Sequence, residues 1–300
     1  MKIIILGSAA GGGYPQWNCR CSVCGLFWDG DPRVRRRTQS SVAVSADGAR
    51  WTILNCSPDI REQIAATKAV QPNGSPRGSP IHSVVVTNGD VDHIAGLISL
   101  REASPFALHG TDAVLGVINS NSLFDVLNPQ AVSRNQFAVG QTVGVGNGLF
   151  FAAFHAPGKV PLYLEGGALE TDQRSTFTVG LKVWSDPARK LVYLPGCGKV
   201  DDELRREIEG ASALLFDGTV WTDGEMAEAG TGAKTGRRMG HLPVSGADGS
   251  MAALQNVTCG RRVFVHLNNT NPLLIDASPE RQAAEGQGWE VGYDGMEFSI

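Results

Sequence analysis

The chain lacks an excess of positive charge, any apolar run long enough to cross a bilayer, and any cysteine spacing that reads as a disulfide framework. Its 300 residues carry 26 Lys and Arg against 30 Asp and Glu, for a net charge of −4 and a pI near 5.9. That balance leaves no electrostatic footprint for nucleic acid or for an anionic membrane. No hydrophobic stretch approaches the ~18 residues that a membrane helix needs. The N-terminal MKIIILGSAAGGG offers only Ile3–Leu6 before Gly7, short of the roughly 7–15 residues of a signal-peptide core. It reads as a buried first strand, and a cytoplasmic location is expected. Repeats and interdomain linkers are also missing. The glycines between Gly7 and Gly13 lack both the G-x-G-x-x-G spacing and a following helix. They read as a tight loop that lets backbone approach a site, not as a nucleotide cradle.

What is present is ordinary for a soluble globular protein: 42% hydrophobic and 19% charged residues, at a length that supports a sizeable core. A single domain over 1–300 is expected. Short β-rich runs recur at 2–6, 40–46, 51–55, 83–88, 149–155, 176–184, 190–194, 213–216 and 262–267. Helical stretches lie between some of them. One begins at Ser57 as cap with Pro58 in the first turn. A second covers 90–102, with Ile94, Leu97, Ile98 and Arg101 at helical spacing. A third, 201–210, starts with acids and ends at Gly210. Many strands are continuously apolar, so both faces must be covered. An α/β fold follows, a four-layer αββα sandwich of two mixed sheets. Loops are read at 71–80 and at 224–240, and the second is the better candidate for a mobile lid.

The chemistry concentrates at strand ends. The 83–88 run finishes in Thr87-Asn88-Gly89-Asp90-Val91-Asp92-His93 and passes directly into a helix. Rigid elements can hold a metal there, although Asp90 and Asp92 also fit as simple helix caps. Three further histidines, His155, His241 and His266, close apolar segments or follow a loop into one. His82 and His109 have no such company and read as structural. Cys19, Cys21 and Cys24 crowd too closely for disulfides with one another and suit a metal, whereas Cys56, Cys197 and Cys259 read as small buried side chains. Arg33, Arg35, Arg36 and Arg37 could meet substrate carboxylates, but a solvated surface run is the simpler account.

These segments, in this order, resemble the metallo-β-lactamase superfamily, whose signature is H-x-H-x-D-H after a strand. More closely, GSAAGGGYPQWNCRCSVC, NCSPDIREQI, TNGDVDHIAGLISLRE, MGHLPVSG, VFVHLNNTNPLL and GWEVGYDGMEF resemble the coenzyme PQQ synthesis B family, over the whole chain. A phosphodiesterase family of the carbon–phosphorus lyase pathway shares the cysteine cluster. The resemblance implies departures from the two-metal pattern. Asn88 and Asp90 stand where the first two histidines belong, and Gly196 where a bridging aspartate belongs. The first metal position is left with His155 and weak help from Asp90. The second survives as Asp92, His93 and His266. Two imidazoles and a carboxylate form the set of non-haem Fe(II) oxygenases, and also suit zinc.

The resemblance further implies a place in pyrroloquinoline quinone synthesis. The expected activity is an iron-dependent, oxygen-using hydroxylase acting on the tyrosine ring of a cross-linked Glu–Tyr precursor. Asp90, His155 and His241 would then position substrate or handle protons. The alternatives are a soluble carrier that assists transport of the quinone or its precursor towards the periplasm, and a residual metal-dependent hydrolase. The expected partner is that small peptide-derived precursor, with other pathway proteins possible. For the cysteines, the resemblance implies a structural zinc whose fourth ligand position falls on Asn269, a weak donor through its carbonyl.

Overall fold

The computed structural model describes residues 1–164 and 173–300. Among these, fourteen strands form two seven-stranded mixed sheets. The first sheet contains β1 (Lys2–Gly7), β2 (Ser41–Ser45), β3 (Trp51–Leu54), β4 (Ile81–Val85), β5 (Phe106–Gly110), β6 (Val132–Gln136) and β14 (Glu297–Ser299), in the order β14-β1-β2-β3-β4-β5-β6. The second contains β7 (Thr142–Gly146), β8 (Leu149–Gly158), β9 (Gln173–Asp186), β10 (Arg189–Leu194), β11 (Ala213–Asp217), β12 (Arg261–Val265) and β13 (Trp289–Val291), in the order β13-β12-β11-β10-β9-β8-β7. Each sheet combines antiparallel pairs with a parallel run, β3 to β6 in one and β10 to β13 in the other.

Alternation along the strands sorts the apolar residues into three layers of core. Ile3, Ile5, Val85, Leu191, Tyr193, Leu215, Val263 and Val265 meet between the sheets. Their neighbours Ile4, Leu6, Val84 and Val86 face away, under Ile60, Leu97, Val114 and Ile118 from helical segments. On the other side, Val192, Leu194, Leu214, Phe216 and Phe264 pack beneath Leu204, Ile208, Met251, Leu254 and Ala284. Strands buried on both faces must read as near-continuous apolar runs, which is why these do. The four layers expected from the sequence are present.

Local boundaries differ from the expected ones. The helix predicted from Ser57 starts at Ile60 and is N-capped at Asp59, because Ser57 and Pro58 are used in a turn that brings Ile60 N to Ser57 O. The stretch 90–102 is one α-helical turn, Val91–Ile94, followed by a 3-10 segment, Ala95–Leu100. Gly96 lies there against backbone: a Cβ on it would sit 2.0 Å from the Ser57 carbonyl oxygen. The helix Asp202–Ile208 agrees well, with Asp201 accepting from Leu204 N as its cap. Segment 224–240 is not a featureless lid. It contains the helix Glu225–Glu228 and the 3-10 turn Arg237–Met239, and Gly236 N and Arg237 N are held by Asp223.

His109, read as structural, is 7% exposed and edge-on to the Phe151 ring at 5.8 Å. Burial, aided by the neighbouring His82 charge, pushes its pKa down to about 4. Its folded-state pKa thus lies below the ordinary 6.5, so between pH 6.5 and about 4 only the unfolded chain takes up the proton. Stability is therefore lost as pH falls through that window, by on the order of 3 kcal/mol from this residue. His109→Phe is expected to flatten the acid limb of urea-melt stability over that window. A variant that keeps the parent's pH slope would refute the assignment.

Candidate metal centre

The carboxyl ends of the parallel strands of both sheets converge on one cavity of about 250 Å³. Its lining includes Gly11, Asn88, Asp90, Asp92, His93, Lys159, Thr219, His241, His266 and Asn268. Open α/β sheets place ligands at such strand ends because the loops there are free to vary over a rigid base.

Asp92, His93 and His266 gather with their ligand atoms within 4.8 Å of one another. Asp92 Oδ2 lies 3.0 Å from His266 Nε2 and 3.7 Å from His93 Nε2. The ring tautomers are set by neighbours. Asn88 Oδ1 accepts from Asp90 N at 3.0 Å, which identifies it as the acceptor, so His93 Nδ1–H donates to it at 2.6 Å. That leaves His93 Nε2 as a bare lone pair, fully buried and without a hydrogen-bond partner among the described residues. An orphaned buried nitrogen is costly unless something binds it, and a cation is what this donor set fits. Thr219 Oγ1 donates to Asp217 Oδ1 at 2.6 Å and lies 2.8 Å from His266 Nδ1, so it receives that ring's proton and turns Nε2 towards Asp92. Outer partners of this kind hold metal-ligating imidazoles in register.

The carboxylate and the two rings also perturb one another's charge. Burial opposes the Asp92 anion, but the His93 and His266 imidazoles outweigh it and hold the carboxyl below its usual range. Burial pushes His93 down to about 4 against the pull of Asp92, keeping it neutral. Burial also opposes the His266 cation, yet the hydrogen bond and charge of Asp92 raise its pKa. His266 itself sits at φ 59, in the left-handed region, held there by Leu267 N bonding to Ser8 O. For a residue other than glycine that conformation costs about 1–3 kcal/mol, a strain typical of functional sites.

His241 stacks on His266, ring centroids 5.1 Å apart. Its Nδ1 donates to Asp217 Oδ2 at 2.7 Å, which in the neutral ring places the lone pair on Nε2. Asp217, the last residue of β11, was not anticipated from the sequence. Asp217, His241 and His266 form a second group of possible ligands. Yet Asp217 Oδ2 also accepts from Cys197 N at 2.9 Å, and Oδ1 accepts from Thr219 N and Oγ1. With both oxygens doubly engaged, Asp217 serves as the brace of His241. Asp217→Asn is expected to lower turnover by about 10–100-fold, the usual cost of an outer-shell partner, while metal content by mass spectrometry stays unchanged. A drop in metal content would make Asp217 a ligand instead.

Two expectations need correction. His155 is absent from the cavity lining: its Nδ1 lies 3.1 Å from the Ser175 carbonyl. The strand does not end there, because β8 bulges between His155 and Pro157 and runs on to Gly158. The residue it delivers to the cavity is Lys159. In the arginine run, Arg33, Arg35 and Arg36 are the exposed surface residues that the simpler account expects, and only Arg37 departs from it. Arg33, Arg35 and Arg36 pair with Asp31, Asp276 and Glu62, and Arg37 is no surface residue but 2% exposed, bonded to Ser8 and the Gly292 carbonyl. Asp90 lines the cavity, its carboxyl raised above the usual range by burial and by the Asp92 charge. At Gly196 a Cβ would lie 3.7 Å from His241 Cε1, and no carboxylate reaches in from that position.

A second cluster joins Cys19, Cys21 and Cys24, again within 4.8 Å. Asn269 completes it: its amide lies 3.2 Å from Cys19 Sγ and 3.4 Å from Cys24 Sγ. Amide nitrogen and oxygen exchange by a flip of the group, so Oδ1 can face a cation in the same place. The hydrogen bond between Cys24 and Cys21 favours the Cys21 thiolate and keeps Cys24 protonated, a proton that a bound cation would displace. Three thiolates and one further donor fit closed tetrahedral zinc.

Among known proteins, residues 50–267 match the model of the β-lactamase superfamily domain. Coenzyme PQQ synthesis protein B of Methylorubrum extorquens (strain PA1) is 52% identical over 300 residues, covering all of both chains. The namesake from Xanthomonas oryzae pv. oryzae (strain MAFF 311018) is 47% identical, again over both full lengths. The crystal structure of Zn(2+)-bound PqqB from Methylobacterium extorquens superimposes with a TM-score of 0.98 at 51% identity, covering both chains completely.

Proposed function

The chain belongs to the coenzyme PQQ synthesis protein B family of the β-lactamase superfamily, and from that premise we propose that it is a metal-dependent hydroxylase in pyrroloquinoline quinone synthesis. Its substrate is the cross-linked Glu–Tyr precursor, and the tyrosine ring receives the oxygen. Asp92, His93 and His266 hold the metal, Fe(II) in the working protein. The observation that carries this reading is the buried, partnerless His93 Nε2 facing Asp92 and His266. These donors make one complete facial set and leave the remaining coordination positions to ligands from solution. Fe(II), when bound, supplies the activation of oxygen.

The protein's own groups do the rest. Asn88 and Thr219 keep the two imidazoles in the tautomers that present Nε2. His241, braced by Asp217, has an unprotonated Nε2 in position to take a phenolic proton. Asp90 holds or releases a proton at the cavity wall. A hydrolase would need a second ion close to the first. Against that, Asn88 is committed to His93, Lys159 stands on the cavity wall, and both oxygens of Asp217 are saturated.

The test is anaerobic loading with Fe(II), followed by labelled dioxygen, the precursor and a two-electron reductant. One labelled oxygen atom is expected in the ring, the other leaving as water. An unlabelled product, or none, with iron bound at Asp92, His93 and His266 would defeat the proposal.

A further inference from the structure

We propose that Asn268 is a substrate-binding residue of the metal cavity, its amide fixed oxygen-inward by Thr270 and Glu225 to accept a hydrogen bond from an amino group of the ligand. The inference deepens the hydroxylase reading and rests on it only in taking that ligand to be the Glu–Tyr precursor. Asn268 stands two residues beyond His266 and lines the cavity, at 9% exposure. Hydrogen bonds engage three of its four polar groups. Its backbone N–H donates to Thr219 O at 2.9 Å, and its backbone carbonyl accepts from Asn271 N at 3.0 Å. Its Nδ2 donates to Thr270 Oγ1 at 2.6 Å. Oδ1 is left for the cavity, with no hydrogen-bond partner among the described residues and yet not closed off from solvent.

Which end of the amide faces inward is decided by a neighbour of Thr270. Glu225 is buried, its Oε2 accepting from Trp221 N at 2.6 Å and its Oε1 from Thr270 Oγ1 at 2.5 Å. A carboxylate can only accept, so Thr270 gives its one proton to Glu225 and offers Asn268 a lone pair. The amide must then turn its NH2 to Thr270 and its oxygen to the cavity, an orientation that the network sets. Burial pushes Glu225 up to about 7 against these hydrogen bonds, so at pH 8 the ionised form that this direction needs prevails. A buried carboxylate is costly, and Glu225 lies outside both the cavity lining and the groups of possible metal ligands. Holding Thr270, and through it Asn268, gives it a role. The hydroxylase reading assigns the ring hydroxyl to His241. The donors that remain on the precursor are the α-amino groups of its glutamate and tyrosine halves, and a carbonyl oxygen accepts from either. An amide suits the place better than a carboxylate, which would compete for the metal ion.

The experiment uses full-length, zinc-loaded protein at pH 8, in which no oxidation can occur, and follows binding of the precursor and of two analogues, each lacking one α-amino group. One analogue is expected to bind roughly three- to tenfold more weakly than the precursor, the worth of one hydrogen bond, and which of the two does so identifies the amino group. Asn268→Leu is expected to lower the precursor to the affinity of that analogue, with metal content unchanged. Thr270→Val, which frees the amide to turn, should also erase the difference, and Thr270→Ser should restore it. This pair decides the matter should Asn268→Leu fail to fold. Equal affinities for the precursor and both analogues, no binding of the precursor, or a difference that survives in Asn268→Leu or Thr270→Val would each overturn the proposal. The expected binding differences without oxygen incorporation would instead remove the hydroxylase and leave Asn268 in its role.

Discussion

Replacing His93 by alanine is expected to remove the active-site metal, leave metal bound at the cysteine cluster unchanged, and abolish product formation. The imidazole is 1% exposed, and its Nε2 finds no hydrogen-bond partner among the described residues. Its other nitrogen is tied to Asn88, so no rearrangement of the ring could make it dispensable. Without it, Asp92 and His266 remain as a two-point site. Loss of an outer-shell partner already costs about 10–100-fold in metal affinity, and a direct ligand costs more than that. Metal analysis should therefore fall by one ion per chain. Folding should survive, because the vacated space is small and the Asp92–His266 contact at 3.0 Å is retained. Combining the change with His266→Ala separates chemistry from carriage. A carrier would keep its grip on the quinone and still support pathway output. Output that persists in the double variant would end the catalytic reading.

The fold was legible because its cause is written locally. Ile3 to Leu6, Val84 to Val86 and Leu191 to Leu194 alternate between two buried faces, and nothing but sheets covered on both sides accommodates that. Asp92, His93 and His266 drew attention, with Asp90, His155 and His241, by lying at or just beyond strand ends. Only the family resemblance implied that Asp92, His93 and His266 form a set; the fold brings their ligand atoms within 4.8 Å of one another. The errors arose where a strand end was misjudged. Pro157 and Gly158 look like terminators, but a bulge lets β8 continue, and the cavity receives Lys159 in place of His155. Asp217 was overlooked although it directly follows the apolar run Ala213–Phe216, the very signal that marked the histidines. No local pattern could expose its role, because Cys197 and His241 reach it from 20 and 24 residues away. Arg37 shows the limit of composition. Among four arginines in a row of five, only packing against Ser8 and Gly292 distinguishes the buried one.

Cys24→Ala is expected to cost stability without a matching loss of catalysis. Cys24 is fully buried, and its backbone N–H is capped by Cys21 Sγ at the start of the helix Ser22–Trp28. The cluster ties this helix to Asn269, across 245 to 250 residues of sequence. Losing the zinc should release the 19–24 segment and cost several kcal/mol, roughly 10 °C in Tm for a chain of this size. Asn269 lies only three residues beyond His266, so the damage could be thought to spread to the active site. Three other ties argue against that. Leu267 N bonds to Ser8 O, Asn268 N to Thr219 O, and Asn271 Nδ2 to Gly218 O. The loop is thereby fixed to β1 and to the end of β11 without help from the cysteines. At 20 °C the variant should thus carry one metal ion per chain and retain turnover within about threefold, since the outer-shell contacts that typically cost 10–100-fold remain intact. A parental Tm with parental zinc content would show that the thiols hold no metal. Collapse of turnover at a temperature where the fold persists would show that the cysteine site and the Asp92, His93 and His266 site act as one unit.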